Sequence, residues 1–177
     1  MAAKVGLIFG TNTGNTASVA ERIAAAFSAA QPDTIEVHDL SSAGLGKLTE
    51  YTLLLVGCPT WNVGELQDDW KAAFDQLDGM DLSGRKIAIF GVGDQKGYAD
   101  NFQDAIGILG TKFMERGAEL CAFTDAEDGS YEFNKSLGVM DGFFLGLAVD
   151  EDNQKDQTDE RIRRWVPSVL REFGLAG

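Results

Sequence analysis

Apolar and polar positions follow two periods that take turns along the chain. Val5, Leu7, Ile8 and Phe9 form a short apolar run that predicts a strand. An Ala-rich stretch follows, with Val19, Ile23 and Phe27 spaced to share one face of a helix. A short strand is predicted near Thr34–Val37, then a turn rich in Ser and Gly from Ser41 to Gly46. Thr52–Gly57 is continuously apolar, the pattern of a strand covered on both faces. Leu66, Trp70, Ala73, Phe74 and Leu77 predict a helix, and Lys86–Gly91 the next strand. A helix over Asn101–Arg116 is closed by Gly117, and Leu120–Phe123 begins a fifth strand. The last helix runs from about Asp159 to Phe173, with Pro167 placed to kink it. Five strands alternating with four or five helices predict an α/β fold, a doubly wound five-stranded parallel sheet with helices on both faces. With no repeat and no linker, residues 1–177 are expected to form a single domain.

One region breaks the rhythm. Thr124–Gly142 is rich in Asp, Glu, Gly, Ser and aromatics, and it separates Leu120–Phe123 from a second apolar run, Phe143–Val149. The economical reading is an insertion that splits the fifth strand. Tyr131, Phe133, Leu137 and Phe143 give that excursion something to bury.

Charge narrows the function. Lys and Arg number 15 against 28 Asp and Glu, a formal net charge of −13, so nucleic acid is excluded as a partner. No apolar run approaches membrane-spanning length, so no membrane insertion is expected. Met1-Ala-Ala-Lys leads straight into the first strand, so no cleaved targeting segment is expected either. Cys58 and Cys121 lie far apart in or beside apolar runs and read as two reduced core thiols. His38 is the only histidine, and with no cluster of Cys or carboxylates around it no metal site is expected.

The chemistry gathers where strands end. Thr11-Asn12-Thr13-Gly14-Asn15-Thr16 joins the first strand to the first helix. A turn of Thr, Asn and Gly offers hydroxyls, amides and backbone N–H groups at a helix N-terminus, where a phosphate is well held. No Lys or Arg lies between Val5 and Glu21, so a phosphate here would rest on neutral donors and the helix dipole. The ligand-free alternative is a polar turn in which Thr16 or Asn15 caps the helix. The Walker-type loop fails, because Gly10 and Gly14 are too close and Asn15 stands where Lys is needed. The Gly-x-Gly-x-x-Gly pattern of a nicotinamide fold is absent after this strand. Two further loops, Cys58–Glu65 and Gly91–Asn101, leave the same sheet edge and carry Trp61 and Tyr98. Either aromatic alone reads as packing. Together, beside a cation-free phosphate turn, they describe a slot for a flat phosphorylated ring, each contact worth roughly 1–3 kcal/mol by analogy with stacked bases.

Over nearly its whole length the chain resembles the flavodoxins. The resemblance rests on Thr11–Thr16, Pro59-Thr-Trp-Asn-Val-Gly-Glu65, Gly93-Asp-Gln-Lys-Gly-Tyr-Ala-Asp-Asn-Phe-Gln103 and Leu147-Ala-Val-Asp-Glu-Asp-Asn153, in that order. It implies the strand order 2-1-3-4-5 with FMN at the switch point, the general example of which is flavodoxin itself. The excursion resembles the insertion of the long-chain subclass. The resemblance further implies that Thr11, Asn12, Thr13, Gly14, Asn15 and Thr16 wrap the FMN phosphate. Thr60, Trp61, Asn62, Val63 and Gly64 would line one side of the isoalloxazine, with Trp61 stacked and the backbone at Asn62 near N5. Val92, Gly93, Asp94, Tyr98, Asn101 and Gln103 would form the other side, with Tyr98 stacked and Asp94 near the pyrimidine edge. Asp150 would lie near the ribityl or phosphate end. Asn15 departs from relatives that carry Lys at that position, keeping a donor and losing the charge.

The expected function is a low-potential one-electron carrier with non-covalent FMN, substituting for ferredoxin between redox proteins and not itself an enzyme. One carboxylate about 10 Å away disfavours an added electron by roughly 0.4 kcal/mol in water and about 1.7 at an effective dielectric near 20. That corresponds to roughly 20–70 mV for a one-electron step. Partners implied by the resemblance are a ferredoxin/flavodoxin-NADP reductase, photosystem I and nitrogenase. The chain is expected to act as a cytoplasmic monomer with a transient acidic docking face, or in the chloroplast stroma if it is a processed algal form. A response-regulator receiver domain is excluded, since Gly10-Thr11 and Cys58-Pro59 replace the acidic residues it needs. A flavin-dependent NAD(P)H:quinone reductase is the enzyme alternative, and aromatic cover on both ring faces argues against it.

Overall fold

A computed structural model describes residues 4–175. In chain order its elements are β1 (Val5–Phe9), α1 (Asn15–Ala30), β2 (Ile35–Asp39), α2 (Leu40–Ala43), β3 (Leu53–Trp61), β4 (Glu65–Leu66) and α3 (Asp68–Ala73). They continue with β5 (Lys86–Val92), α4 (Asp104–Glu115), β6 (Glu119–Cys121), β7 (Thr124–Asp125), β8 (Val139–Met140), β9 (Phe143–Phe144), β10 (Gly146–Val149) and α5 (Thr158–Glu172).

The main sheet runs β2-β1-β3-β5, and these neighbours pair in parallel. On the outer edge of β5, β6 pairs parallel with Lys86–Ala88 and β10 with Ile89–Val92. Two short segments therefore occupy one strand position, which completes the order 2-1-3-4-5 and shows the fifth strand split. Between them β7, β9 and β8 form a small antiparallel sheet. Its residues pack on the main body through Phe102, Tyr131, Phe133 and Phe144, whose ring centroids lie 5.0–6.5 Å apart. Edge-on and tilted contacts of this kind hold an excursion that has little regular structure of its own.

Alternation along the strands divides the core in two. Val5, Leu7, Phe9, Leu55, Ala88 and Phe90 face α1 and α5, whereas Ile8, Leu54, Val56, Ile87 and Ile89 face α3 and α4. Both faces are covered, so the strands read as unbroken apolar runs. Each fully buried Leu, Ile or Phe contributes about 1.5–3 kcal/mol. Thr16, Val19, Ala20, Ile23 and Phe27 form the buried stripe of α1. Cys58 and Cys121 are buried and free, and burial pushes both thiols up to about 12, which keeps them from acting as thiolates.

Three local readings change. The third strand does not stop at Gly57 but runs to Trp61. The Gly57 carbonyl accepts the Gly10 N–H at 3.1 Å, so Gly57 faces β1. Pro59, two residues on, faces the same side beyond the end of β1, where no ladder bond is lost. The helix read over Leu66–Leu77 is α-helical only at Asp68–Ala73 and tightens to a 3₁₀ turn over Phe74–Gly79. Pro167 lies on the exposed face of α5, and the helix continues through it to Glu172.

Candidate cofactor-binding site

Connections leaving the carboxyl end of the sheet enclose a cleft of about 160 Å³. It is lined by Thr11, Asn12, Thr13, Asn15, Thr16, Pro59, Thr60, Trp61, Asn62, Val92, Gly93, Asp94, Tyr98 and Asp152.

The first wall is the turn before α1. The Thr11 hydroxyl oxygen accepts the Gly14 N–H at 3.0 Å, and Gly14 adopts φ +92°, a conformation that other residues enter only with strain. Gly14, not Asn15 or Thr16, occupies the N-cap position, and no side chain caps the helix. The first turn of α1 holds no acid. Its free N–H groups and the positive end of its dipole are thus left for an anion. The Thr16 hydroxyl is buried and has no partner, an omission that costs stability unless a ligand completes it.

A buried amide braces this turn from below. Gln67 is fully buried, and its Nε2 donates to Asn12 Oδ1 at 3.0 Å, to Asp69 Oδ2 at 2.7 Å and more weakly to the Thr11 carbonyl at 3.4 Å. The amide lies directly over Gly10, where a Cβ would stand 2.0 Å from Gln67 Oε1. Gly10 is required for that close approach. Gln67 Oε1 also accepts the Trp70 N–H at 3.3 Å and caps α3. Replacing Gln67 by Leu should therefore free the turn and weaken FMN binding about tenfold, while costing about 1 kcal/mol of stability from the lost cap. Fluorescence titration with FMN checks this, with Gln67→Glu, which keeps an oxygen to cap α3 and loses the amide donor, as the comparison.

The second wall is a hairpin. β3 turns at Asn62-Val63-Gly64 and returns as β4, pairing Trp61 with Glu65 and Thr60 with Leu66. Asn62 and Gly64 take positive φ, and Asn62 Nδ2 donates to Glu65 Oε2 at 3.1 Å. The Thr60 hydroxyl accepts the Ala105 N–H at 3.0 Å, tying the hairpin to the start of α4. Trp61 Nε1 is buried without a partner, a second unsatisfied donor at the cleft.

The third wall is Gly93–Tyr98, folded around Asp94. One Asp94 oxygen accepts the Lys96 and Gly97 N–H groups and the Asn153 side-chain amide. Burial alone would push this carboxyl up, but those donors outweigh it and hold it below the usual range. Tyr98 presents its ring with 45% of its surface exposed. Asp152, on the loop after β10, is pushed the other way by partial burial and by the charges of Asp94, Asp150 and Glu151. The cleft is therefore negative at this wall, and among the described residues no Lys or Arg lines it.

Six residues expected at the site stand outside the cleft lining. Asp150 is fully buried behind it and accepts from Gln95 N–H and Nε2, from the Asp152 N–H, and from the Asn153 N–H and side chain. Gln103, at φ +62°, donates to the Gly91 and Val149 carbonyls and clasps the ends of β5 and β10. Asn101 donates to Asp104 at 2.9 Å. Gly64 packs against that same pair, Val63 projects from the hairpin tip, and Gly14 holds the N-cap position with no side chain to offer. Asp125 and Asp128 lie farther off, around a separate cavity beside Arg161 and Arg164. Conversely, Pro59 and Asp152 line the cleft and Gln67 braces it without any motif that names them as site residues. Pro59 and Asp152 sit inside segments that the resemblance rests on, but Gln67 carries no pattern that would mark it.

The flavodoxin family model matches residues 7–165. The chain belongs to the flavodoxin family. It is 49% identical over 175 residues to a flavodoxin of Nostoc sp., covering 99% of this chain and 100% of that one. It is 46% identical over 173 residues to the flavodoxin of Synechococcus elongatus, covering 98% and 99%. Among solved structures, a Fusobacterium nucleatum flavodoxin bound to flavin mononucleotide superposes with a TM-score of 0.88 at 26% identity, over 95% of this chain and 97% of that one. Flavodoxins are electron-transfer flavoproteins, and the family assignment sets the quinone reductase reading aside.

Proposed function

We propose that residues 1–177 act as one FMN-binding unit that carries electrons singly between redox proteins. The observation that carries this reading is the uncapped N-terminus of α1, with a buried unpartnered Thr16 hydroxyl, facing the same cleft as Trp61 and Tyr98. FMN suits both halves, an anionic phosphate for the first and a flat ring for the second. Bound there, FMN supplies the one-electron chemistry.

The residues of the chain do the rest. Thr11, Asn12, Thr13, Asn15 and Thr16 hold the phosphate with neutral donors. Trp61 and Tyr98 cover the ring and limit water at its faces. Asn62, at positive φ in the hairpin turn that lines the cleft, offers a backbone carbonyl that would accept a hydrogen bond from a ring N–H. Asp94 and Asp152 line the cleft with negative charge and would oppose the addition of a second electron to a ring bound there. Asp150, Gln103 and Asn101 act as positioning residues that stitch the loops to the sheet ends.

Docking is proposed at the acidic rim formed by Glu65, Asp68, Asp69 and Asp100, around the exposed Val63 and Tyr98. Basic partners suit it, with a ferredoxin/flavodoxin-NADP reductase first and photosystem I or nitrogenase as others of the same kind. A monomer in the cytoplasm and membership of the long-chain subclass, supported by the excursion that splits the fifth strand, belong to the same proposal. Rim charges govern encounter and are screened beyond about 8 Å at physiological salt. Electron transfer to the reductase should therefore slow as salt rises. Glu65→Lys with Asp68→Lys should lower the low-salt rate about tenfold with FMN content unchanged. Stopped-flow rates indifferent to salt and to charge reversal would remove the docking face.

A further inference from the structure

A second cavity, of about 190 Å³, opens between α5 and the excursion, away from the cleft already described. Arg161 lines it and is only 5% exposed. The guanidinium lies 4.1 Å from the centre of the Tyr131 ring and donates from Nη2 to Ser130 Oγ at 3.1 Å. Its Nη1 is buried and has no partner. Among the described residues no carboxylate lies within 4.0 Å of it, whereas Arg22 and Arg163 on the same side of the molecule are paired. The Asp128 carboxylate acts on Arg161 and Arg164 only from beyond contact distance, so a buried guanidinium with an idle Nη1 is incompletely compensated, and an anion in the cavity removes that cost. Arg164, one turn along the same helix face, lines the cavity too and is only loosely held by Glu160 at 3.7 Å.

The remaining walls say what kind of anion. Leu147, Trp165 and Tyr131 supply apolar and aromatic surface. The volume is slightly above the roughly 150 Å³ of an engineered apolar cavity that accepts benzene. Asp125 and Asp128 also line it, and both are hydrogen-bonded within their own loop. Partial burial would push the Asp128 carboxyl up, but the Ser130 donors and the fields of Arg161 and Arg164 outweigh it and hold it below the usual range. Asp125 accepts the Glu127 N–H at 2.8 Å, and Asp128 accepts the Ser130 N–H and hydroxyl at 2.8 and 2.6 Å. Their negative charge disfavours a dianion such as phosphate relative to a single carboxylate.

We propose that this cavity binds a single-ring aromatic carboxylate, with its carboxylate on Arg161 and Arg164 and its ring against Trp165 and Leu147. The proposal is independent of the flavin reading. It is tested on FMN-loaded protein labelled with nitrogen-15, titrated with benzoate at constant ionic strength. Saturable shifts at Ser130, Trp165 and Ser168 are expected, with benzamide and inorganic phosphate each binding at least about tenfold more weakly. Arg161→Gln should abolish saturation. Ser168→Leu, which fills the cavity and leaves the arginine in place, should do the same. An absence of saturable shifts, or shifts that survive Ser168→Leu, would overturn the site. Equal binding of benzamide would reduce it to an apolar hole, and equal binding of phosphate to a simple anion site, either of which contradicts the proposal.

Discussion

Riboflavin is expected to bind the unliganded protein at least a hundredfold more weakly than FMN. The two differ only in the phosphate, and the turn before α1 is built for that group. Its helix end is uncapped, its first turn lacks acid, and Thr16 buries a hydroxyl with nothing to bond. Hydrogen bonds to a charged group are worth about 1.5–3 kcal/mol each, so losing two of them already exceeds a hundredfold. Thr16→Val keeps the volume and removes the hydroxyl. It should weaken FMN about tenfold and leave riboflavin unchanged. Calorimetric titration of both ligands into both proteins separates the phosphate contribution from any general loosening. Equal affinities of FMN and riboflavin for the parent protein would remove the turn from the account.

Tyr98→Ala should weaken FMN by between about fivefold and a hundredfold, the range for loss of one stacked ring. It should also raise the potential of the second reduction, because water admitted to that face stabilises the negative charge that the carboxylates oppose. Tyr98 is nearly half exposed, so the fold should lose little, and the unliganded protein should melt at an unchanged temperature. Tyr98→Phe should behave like the parent. Flavin fluorescence, strongly quenched by stacking on electron-rich rings, should recover partly in the Ala variant. If all three properties stay unchanged in Tyr98→Ala, Tyr98 does not cover the ring.

Much of this architecture can be read from the chain because both faces of the sheet are covered. Runs such as Leu53–Gly57 and Ile87–Gly91 then stand out without any help from tertiary context. The loops at the strand ends are legible for a related reason: they are polar, rich in Gly and Thr, and punctuated by single aromatics. What escapes is cooperation between distant polar groups. Gln67 gives no periodic signal, yet its amide bridges Asn12 and Asp69 and decides that Gly10 must be glycine. Asp150, Gln103 and Asn101 look like ligand residues, being polar and close to the right loops. Asp150 is spent on backbone N–H and amide donors, the Asn101 amide on the Asp104 carboxylate and Gln103 Nε2 on two backbone carbonyls, with Gln103 Oε1 left buried and unpartnered. Pro59 reads as a loop residue until β1 is seen to end at Phe9, which lets β3 run four residues longer than its apolar stretch. The split fifth strand could be proposed from two apolar runs, but only the register of β6 and β10 on β5 shows that they share one position.

An anaerobic reductive titration of the purified FMN-loaded protein, followed by visible absorbance, tests the central claim most directly. Covered ring faces and an acidic surround predict two well-separated one-electron steps, the second at low potential. A single two-electron step, with both electrons added at one potential, would contradict the account.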